Sequence, residues 1–384
     1  MICFSGGSPY QFINIINLKR NVLNNAPGDL LAHTLGGYND MSTVTQRIKE
    51  LGIFENVYEF KVDASDDSKE VLNEELFGLG GNKTSNYINS LSLDGSFDVT
   101  KKTYSALYAA SGLSFNVKLF SYFGSRNKEF KCYFYDEGIG QYYSKYRLYN
   151  NRDLIFANDY NVALLLKYKS LMPQATGRFL YEPSLIGFAN FNKIAPLPKI
   201  DLNDKELIEI YNHIFNYEPD EAFENSKIIF FNSGFFYKER AEQELEMLKI
   251  IEKYVRKEDF AVKFHPSVAK VPVEYEGYQT MKLKQIPFES FIMNNKSSAK
   301  KILISTCSSA MLTPKLVFGL EPQFVYLDKP IESEKEETKA TSAFQSGELS
   351  IFNKVKAIYN NPQKVHRVFN NSEFEEFIKN LKLS

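Results

Sequence analysis

The sequence predicts an α/β protein built from two doubly wound domains. Short apolar runs alternate with amphipathic helical patterns from residue 2 onward, and a second series of this kind starts at Lys227. Several of the apolar runs also end directly in polar or small residues. Strands separated by helices at this spacing predict parallel sheets with helices on both faces. The length of 384 residues leaves room for two to three domains.

We place the first domain at residues 1–195 and the second at residues 227–384, joined by a linker at residues 196–226. The linker follows from the proline-rich run APLPK, which starts at Ala195, and it includes a bridging helix that begins near Asp204. The tail of the chain has a helical, mildly basic pattern. We expect its last helix to return across the two halves.

In the first domain, strands are predicted at Ile2–Phe4, Asp29–His33 and Val57–Val62, with a helix after the first of them. The intervening turn, SGGSP, allows backbone N–H groups to approach a ligand closely, although an ordinary tight turn explains it as well. Residues 64–102 are polar and weakly periodic, which predicts an insertion or long loop that could cover an acceptor. We interpret its Asp66 and Asp67 as solvated charges rather than as metal ligands.

Further along the first half, the pattern through Leu107 and Leu113 predicts a helix, and Phe115–Phe120 predicts a strand. Residues 144–195 indicate helical or irregular structure. In the second half, Met281–Lys284 predicts a short strand.

Composition excludes several classes of protein. The 46 Lys and Arg residues balance 47 Asp and Glu residues, so the net charge of −1 gives no support for a nucleic-acid partner. The three cysteines, Cys3, Cys132 and Cys307, lie far apart in or beside apolar runs, which favours reduced thiols over disulfides or a metal site. No apolar run reaches the roughly 18 residues of a membrane span, and the N-terminus lacks the basic segment of a signal peptide. We therefore expect a soluble or peripheral cytoplasmic protein.

Two adjacent carboxylates follow the predicted strand Glu129–Tyr135, in the sequence Asp136-Glu137-Gly138. Burial and a neighbouring like charge raise the pKa of a carboxyl group, which suits a general base. Successive side chains of an extended chain face opposite ways, so only one can enter a site. We select Asp136 as the base, with Glu137 pointing outward or in support. A simple turn that closes the strand is the alternative.

A histidine ends the next informative strand, in the second half of the chain. Phe260, Val262 and Phe264 form an alternating pattern of large apolar residues up to His265, and Pro266 stops the strand. Ligands of open α/β sheets bind beyond the carboxyl ends of the strands, so this imidazole is well placed for chemistry. A hydrogen-bonded structural histidine is the alternative.

Small hydroxyl residues follow the strand Lys300–Ser305, in the sequence TCSSAML. Ser308 and Ser309 would lie where a helix starts, and the positive end of a helix favours an anion such as phosphate. Ordinary N-capping by one serine is the alternative. Taken together with Asp136 and His265, this pattern serves transfer of a group from a phosphate leaving group to a hydroxyl.

These motifs resemble those of a known family. YDEG, KFHP and the paired serines resemble the acidic-acidic-glycine, histidine-proline and serine motifs of bacterial sialyltransferases, and SGGSPYQ is similar to the opening of glycosyltransferase family 52. The resemblance implies a GT-B fold with the active site in the cleft between two facing Rossmann-like domains. It also implies CMP-sialic acid as donor substrate, inversion at the anomeric carbon, and neither a metal nor another cofactor.

The resemblance implies roles for single residues. Asp136 would be the base and His265 the acid or phosphate partner. Ser308 and Ser309 would hold the phosphate, and Glu289 would contact the ribose hydroxyls. Beyond the resemblance, we assign Asn232, Ser233, Gly234 and Pro266 to the donor side. We assign Gly7, Gln11, His33, Glu137 and Gly138 to the acceptor side. The absence of a metal also has an argument from the residues, because the acidic pairs are adjacent rather than of the Asp-x-Asp type that holds a cation.

Three hypotheses stay open. The first is the sialyltransferase, the second is a GT-B glycosyltransferase that uses a UDP-hexose or CMP-Kdo, and the third is a non-catalytic nucleotide-sugar-binding protein. The first predicts as partners CMP-sialic acid and a galactose-terminated glycan on a bacterial surface lipid or capsule. The basic tail would allow peripheral contact with the inner face of the cell membrane, and a homodimer is left open.

Overall fold

The structure is a computed structural model, which describes residues 1–35, 41–62, 82–110, 114–138, 142, 176–186, 193–233, 238–265, 268, 270–281, 286–306, 308–327 and 352–381. The chain divides into two compact units, Met1–Pro198 and Lys199–Ser384. Each unit contains one sheet whose neighbouring strands are all parallel. The cleft predicted between the two domains stays a prediction.

The sheet of the first unit has seven strands. They are β1 (Ile2–Gly6), β2 (Gly28–Leu35), β3 (Val57–Val62), β4 (Ala106–Ala109), β5 (Lys131–Tyr135), β6 (Gly177–Leu180) and β7 (Ile194–Pro196). Their order is β3-β2-β1-β4-β5-β6-β7. From β1 the chain first adds strands on one side and then returns to the other, so the strand order reverses between β1 and β4. Ligands of doubly wound sheets bind at this kind of reversal.

The helices described in the first unit are α1 (Pro9–Asn21), α2 (Ser42–Glu50), α3 (Asn82–Ser90) and α4 (Ser114–Arg126). Ser8 caps α1 by accepting a hydrogen bond from the backbone N–H of Gln11, and Pro9 occupies its first turn. Both features favour a helix start directly after the glycine-rich turn. The predicted strand–turn–helix unit at the N-terminus is therefore confirmed.

Two predictions in this unit are wrong, because the segment predicted as a helix is a strand and the segment predicted as a strand is a helix. The segment around Leu107 is the central strand β4, and Phe115–Phe120 belongs to helix α4. Every residue of β4 is buried between β1 and β5, so the strand shows no alternation, and its Ala-Leu composition is also typical of a helix. In α4, Phe115, Leu119 and Phe123 lie four residues apart on one buried face.

Residues 64–102 are only partly a loop. Residues 64–81 lie outside the described part of the chain, but α3 and the segment after it belong to the fold. Ile88, Phe97 and Val99 lie in the hydrophobic core of the first unit, which explains why this segment is not a free insertion. Of the helical or irregular structure predicted for residues 144–195, residues 144–175 and 187–192 lie outside the described residues, and strands β6 and β7 correct the prediction where they lie. Each has only three or four residues, too few for a period to show.

The sheet of the second unit has five strands in the order β12-β11-β10-β8-β9. They are β8 (Ile228–Phe231), β9 (Phe260–Lys263), β10 (Ile302–Ser305), β11 (Gln323–Leu327) and β12 (Val365–Val368). The described helices are α5 (Lys205–Phe215), α6 (Glu221–Asn225), α7 (Lys238–Tyr254), α8 (Phe288–Asn294), α9 (Thr313–Phe318), α10 (352–358) and α11 (Asn371–Lys379). Here the strand order reverses between β8 and β10.

Several boundaries predicted for the second half need correction. Residues 199–226 are part of the second unit rather than a linker, because Leu207, Tyr211 and Phe223 bury their side chains completely. The final helix α11 packs on α7 of the same unit, through Phe374 and Ile378, and its predicted return across the two halves stays a prediction. The helical tail also contains the strand β12. Of the predicted strand at Met281–Lys284, residues 282–285 lie outside the described residues, and a single bridge joins the preceding Thr280 to β9.

Among the described residues, no helix is both long and apolar enough to cross a lipid bilayer.

Candidate functional site

The predicted base, Asp136, lies directly after β5 and is completely buried. Its Oδ1 accepts hydrogen bonds from the Tyr10 hydroxyl at 3.1 Å and from the backbone N–H of Gly138 at 2.8 Å. Its Oδ2 accepts from the Tyr142 hydroxyl and, at 3.3 Å, from the backbone N–H of Tyr181. Burial raises the pKa of Asp136, and these four hydrogen bonds oppose that rise.

The neighbouring Glu137 is partly buried and is held by α1. The Nε2 of Gln11 donates to its Oε1 at 2.7 Å, while the Oε1 of Gln11 accepts from the backbone N–H of Gly7 at 2.7 Å. A single glutamine thus joins the glycine-rich turn after β1 to the end of β5. The predicted acceptor-side residues Gly7, Gln11 and Glu137 are brought together, with Gly138 beside them.

His33 lies in β2, beside the same turn. The side chain is buried, and neither ring nitrogen has a hydrogen-bond partner. Desolvation lowers the pKa of His33 to about 4, so the imidazole is neutral at pH 7. The turn packs closely on it, because a Cβ atom added to Gly7 would lie 2.2 Å from the carbonyl oxygen of His33.

In the second unit, His265 follows β9 and is partly buried. Burial lowers the pKa of His265, and the nearby positive charge of Lys263 lowers it further. Desolvation also lowers the pKa of Lys263, opposed by the charges of Glu289 and Asp220. Glu289, in the first turn of α8, is itself buried and has a raised pKa for that reason. The predicted catalytic His265 and the predicted donor-side Glu289 thus both interact electrostatically with Lys263.

A buried carboxylate that the sequence interpretation missed, Glu244 of α7, joins the ends of β8 and β10. It accepts from Asn232 Nδ2 at 2.6 Å, from the backbone N–H of Ser233 at 2.9 Å and from Thr306 Oγ1 at 3.0 Å. The two strand ends that it joins flank the reversal of strand order in the second sheet. Burial raises the pKa of Glu244, and these donors oppose the rise.

The paired serines do not start a regular helix. Ser309 begins a three-residue 3-10 turn, Ser308 makes no side-chain capping bond, and α9 begins only at Thr313 and has six residues. The helix start predicted at the paired serines and the capping alternative are therefore wrong, while a contact of these serines with phosphate stays a prediction. Ser308 is instead held by its backbone N–H, which donates to Ser305 Oγ at 3.0 Å. Ser305 Oγ in turn donates to the carbonyl oxygen of Phe231 at the end of β8.

Some predicted positions lie outside the described residues, namely Gly234, Pro266, Cys307, Asp66 and Asp67. Within the described part of the chain, no group of three or more His, Cys, Asp or Glu side chains is arranged to hold a metal ion.

Sequence signals exist for some of the missed residues. Glu244 could have been found, because it lies on the apolar stripe of α7 three residues after Ala241 and four before Leu248. Tyr10 and Tyr181 carry no such signal, since they meet Asp136 only through the tertiary fold. Tyr142 is closer in sequence, six residues after Asp136.

The chain was compared with known proteins. No protein-family model matches it, and no curated protein matches its sequence. Some solved structures match the fold of the chain. An α/β-galactoside α-2,3-sialyltransferase from the luminous marine bacterium Photobacterium phosphoreum matches with a TM-score of 0.51 and 14% identity, over 95% of this chain and 98% of that one. Arabidopsis thaliana UGT89C1, complexed with UDP, matches with a TM-score of 0.50 and 12% identity, over 99% of this chain and 89% of that one.

At these identities the likeness concerns the fold. Together with the two parallel sheets, it shows that the chain has the GT-B fold, with two Rossmann-like domains. The fold class predicted from the sequence is confirmed. Because one fold hosts many reactions, the activity has to be argued from the sites.

Proposed function

We propose that this protein is a glycosyltransferase that uses a nucleotide sugar. The observation that carries the proposal is that a strand in each sheet is followed by a titratable side chain of the kind that the reaction needs. Asp136 follows β5, next to the reversal at β1 and β4, and His265 follows β9, next to the reversal at β8 and β10. The first unit would activate the acceptor hydroxyl, and the second would bind the donor nucleotide and its phosphate.

In its specific form, the proposal is the transfer of sialic acid from CMP-sialic acid to a hydroxyl of a terminal galactose on a bacterial surface glycan. The motifs YDEG and KFHP support it, as does a fold shared with a bacterial sialyltransferase. The acceptor oxygen attacks the anomeric carbon, and the bond from that carbon to the CMP phosphate breaks, which inverts the configuration. Asp136 takes up the acceptor proton, and His265 donates to the departing phosphate.

The electrostatics of His265 suit a phosphate partner. Burial and Lys263 together lower the pKa of the free imidazole. A phosphate bound beside it adds a negative charge, which raises that pKa and favours the imidazolium. The acid would therefore form when the donor binds. Ser308, Ser309, Asn232 and Ser233 would complete the donor pocket, with Glu289 toward the ribose.

The test is incubation of the purified protein with CMP-sialic acid and lactose, followed by mapping of the linkage in the product. We expect Asp136→Ala and His265→Ala each to lower turnover by about 10²- to 10⁴-fold, the usual contribution of an acid or base, while the unfolding midpoint of each variant shows a folded protein. Folded variants that keep wild-type turnover would contradict the assigned roles. A non-catalytic binding protein would be favoured by two results together. The wild type would transfer no sugar, and the Asp136→Asn variant would bind CMP as tightly as the wild type does.

We also expect full turnover in the presence of a chelator, because the proposed steps use only side chains of the protein. The measurement compares initial rates with and without excess EDTA. A rate that falls in EDTA and returns with added manganese or magnesium would contradict this part of the proposal.

A second candidate is a GT-B glycosyltransferase with a UDP-sugar donor, and the fold shared with a UDP complex favours it. The two candidates differ in the nucleotide that binds. A rise of the unfolding midpoint with CMP and not with UDP supports the first, and the reverse result supports the second.

A further inference from the structure

The proposed base is out of reach of an acceptor. Asp136 exposes none of its surface, and its two oxygens accept four hydrogen bonds. A carboxylate offers about four lone-pair positions, so the four donors occupy it fully. A sugar hydroxyl cannot donate directly to Asp136 in this arrangement. If Asp136 collects the acceptor proton, another group must pass it on.

The four donors differ in what they can pass on. The backbone N–H groups of Gly138 and Tyr181 do not exchange a proton with a substrate on the time scale of turnover. Tyr142 is completely buried, so its hydroxyl cannot meet an acceptor. Tyr10 is partly exposed, and its hydroxyl donates to Asp136 Oδ1 at 3.1 Å. Among these four donors, Tyr10 supplies the one hydroxyl that belongs to a residue with exposed surface.

The position of Tyr10 also fits a role at the acceptor. It is the second residue of α1, directly after the Ser8 cap and the glycine-rich turn of β1. That turn lies at the reversal of strand order between β1 and β4, where a doubly wound sheet binds its ligand. Gln11, the next residue, holds both Gly7 and Glu137, which fixes the start of the helix relative to the end of β5.

We propose that Tyr10 is a catalytic residue that relays the acceptor proton to Asp136. The acceptor hydroxyl gives its proton to the Tyr10 oxygen while the Tyr10 proton moves to Asp136 Oδ1, and the acceptor oxygen forms its bond to the anomeric carbon. Tyr10 ends neutral, Asp136 ends protonated, and the hydrogen bond between them reverses its direction. The inference rests on the proposed glycosyltransferase function and adds the group that touches the acceptor.

The other contacts of Asp136 are compatible with this transfer. After it, the protonated oxygen donates to Tyr10, while Oδ2 still accepts from Tyr142 and Tyr181. Burial raises the pKa of Asp136, which favours the protonated form that the transfer produces. The proton then leaves through Tyr10 when the product is replaced by solvent.

Two matched variants test the relay. Tyr10→Phe and Tyr142→Phe each remove one phenol that donates to Asp136, but only Tyr10 is partly exposed. We expect Tyr10→Phe to lower kcat by about 10²-fold or more with an unchanged KM for the donor and unchanged CMP binding. Tyr142→Phe should lower kcat by less than about tenfold. The double variant Tyr10→Phe, Asp136→Asn should be no slower than Asp136→Asn alone, because both changes break one relay.

The outcomes separate the relay from the proposed function. A folded Tyr10→Phe variant that keeps more than a third of wild-type kcat, or a Tyr142→Phe variant that loses as much as Tyr10→Phe, overturns the relay alone. A wild-type protein that binds CMP or UDP and transfers no sugar from any nucleotide sugar overturns the proposed function and the relay with it. Circular dichroism and the unfolding midpoint show whether each variant is folded.

Discussion

At the scale of single residues, two buried carboxylates organise the two predicted sites. Asp136 in the first unit and Glu244 in the second are both fully buried, and both collect donors from chain segments that are distant in sequence. Removing such a carboxylate leaves its hydrogen-bond donors buried without an acceptor or water. The resulting loss in the free energy of unfolding exceeds the contribution of the hydrogen bonds themselves. Each carboxylate therefore fixes the geometry around it.

The first prediction concerns Glu244. Glu244→Ala leaves Asn232 Nδ2, the Ser233 N–H and Thr306 Oγ1 without their acceptor, so we expect a loss on the order of 3 kcal/mol in the free energy of unfolding. Because the ends of β8 and β10 lose their connection, CMP or UDP binding should weaken about tenfold, or about 1.4 kcal/mol. Denaturant unfolding and calorimetry measure the two effects.

Two further variants serve as controls for Glu244. Glu244→Gln keeps an acceptor oxygen for Ser233 and Thr306 and should restore part of both losses. Glu242→Gln changes an exposed residue of the same helix and should have no effect. Nucleotide binding that is unchanged in a folded Glu244→Ala variant would show that Glu244 has no influence on the donor pocket.

The second prediction concerns His33 and pH. Its pKa in the folded protein is about 4, against about 6.5 in an unfolded chain, so between these values the unfolded state binds more protons. The free energy of unfolding therefore falls as the pH drops through this window. We expect His33 to account for a loss of about 2 kcal/mol between pH 7 and pH 5. His33→Leu should remove that part of the pH dependence.

The measurement for His33 is denaturant unfolding of wild type and variant at both pH values. His213→Gln, at an exposed position, is the control and should keep the wild-type difference. Equal pH dependence in wild type and His33→Leu would mean that His33 does not remain neutral in the folded protein.

At this scale the sequence located Asp136 and His265 at strand ends, because charged or titratable residues directly after an apolar run are visible locally. It did not show that Asp136 is enclosed. Tyr10 and Tyr181 lie 126 and 45 residues from Asp136, so their contact with it depends on the order of the strands. Periodicity within one segment carries no information of that kind.

At the scale of elements, the glycine-rich turn between β1 and α1 depends on the absence of a side chain. A Cβ atom on Gly7 would lie 2.2 Å from the His33 carbonyl oxygen and 2.4 Å from its Nδ1. The first of these contacts is with the backbone of β2, which is paired on both sides and cannot shift easily. The Gly7 backbone is not in the left-handed region, so its conformation does not require glycine. Glycine is needed here because there is no space for a side chain.

The third prediction follows from this contact. Gly7→Ala should lower the free energy of unfolding by about 1–3 kcal/mol, the usual cost of forcing an extra group into a packed site. Gly52→Ala is the comparison, because Gly52 has open space around it and a φ of +60°, so only a backbone cost of about 1 kcal/mol applies. A Gly7→Ala variant as stable as wild type would show that the turn has room to relax.

The sequence predicted α1 and β3 well, because α1 has a clear start signal and β3 is half-exposed. It also found β10, a short and fully buried strand, because Ile302 and Ile304 are β-branched. It failed at β4. Ala106–Ala109 has neither alternation nor β-branched residues, and only its place between β1 and β5 makes it a strand. Strand β12 was missed for another reason, because its four residues lie in a tail with a helical composition.

At the scale of the whole molecule, each unit has its own hydrophobic core. The core of the second unit draws on every layer of that unit, including Leu248 of α7, Val262 of β9 and Phe374 of α11. A unit with a complete core and an intact parallel sheet can fold independently. The proposed donor pocket is made of residues from this unit alone.

The fourth prediction is that a fragment of residues 199–384 folds and binds the donor nucleotide. At 100 times its dissociation constant, CMP or UDP should stabilise the fragment by about 2.7 kcal/mol, visible as a higher unfolding midpoint. A fragment with cooperative unfolding and no response to the nucleotide that stabilises the full chain would show that donor binding needs the first unit.

The all-parallel pairing of the strands has a consequence for how the chain acquires its structure. A parallel pair cannot be joined by a tight hairpin, so every ladder in the two sheets needs a crossover or a longer excursion before it forms. The entropy cost of closing these loops must therefore be met before the stabilising contacts between strands form. For this reason we expect slow refolding from denaturant. Partly folded chains expose unpaired strand edges that aggregate. Low temperature and dilution should therefore raise the yield of active protein.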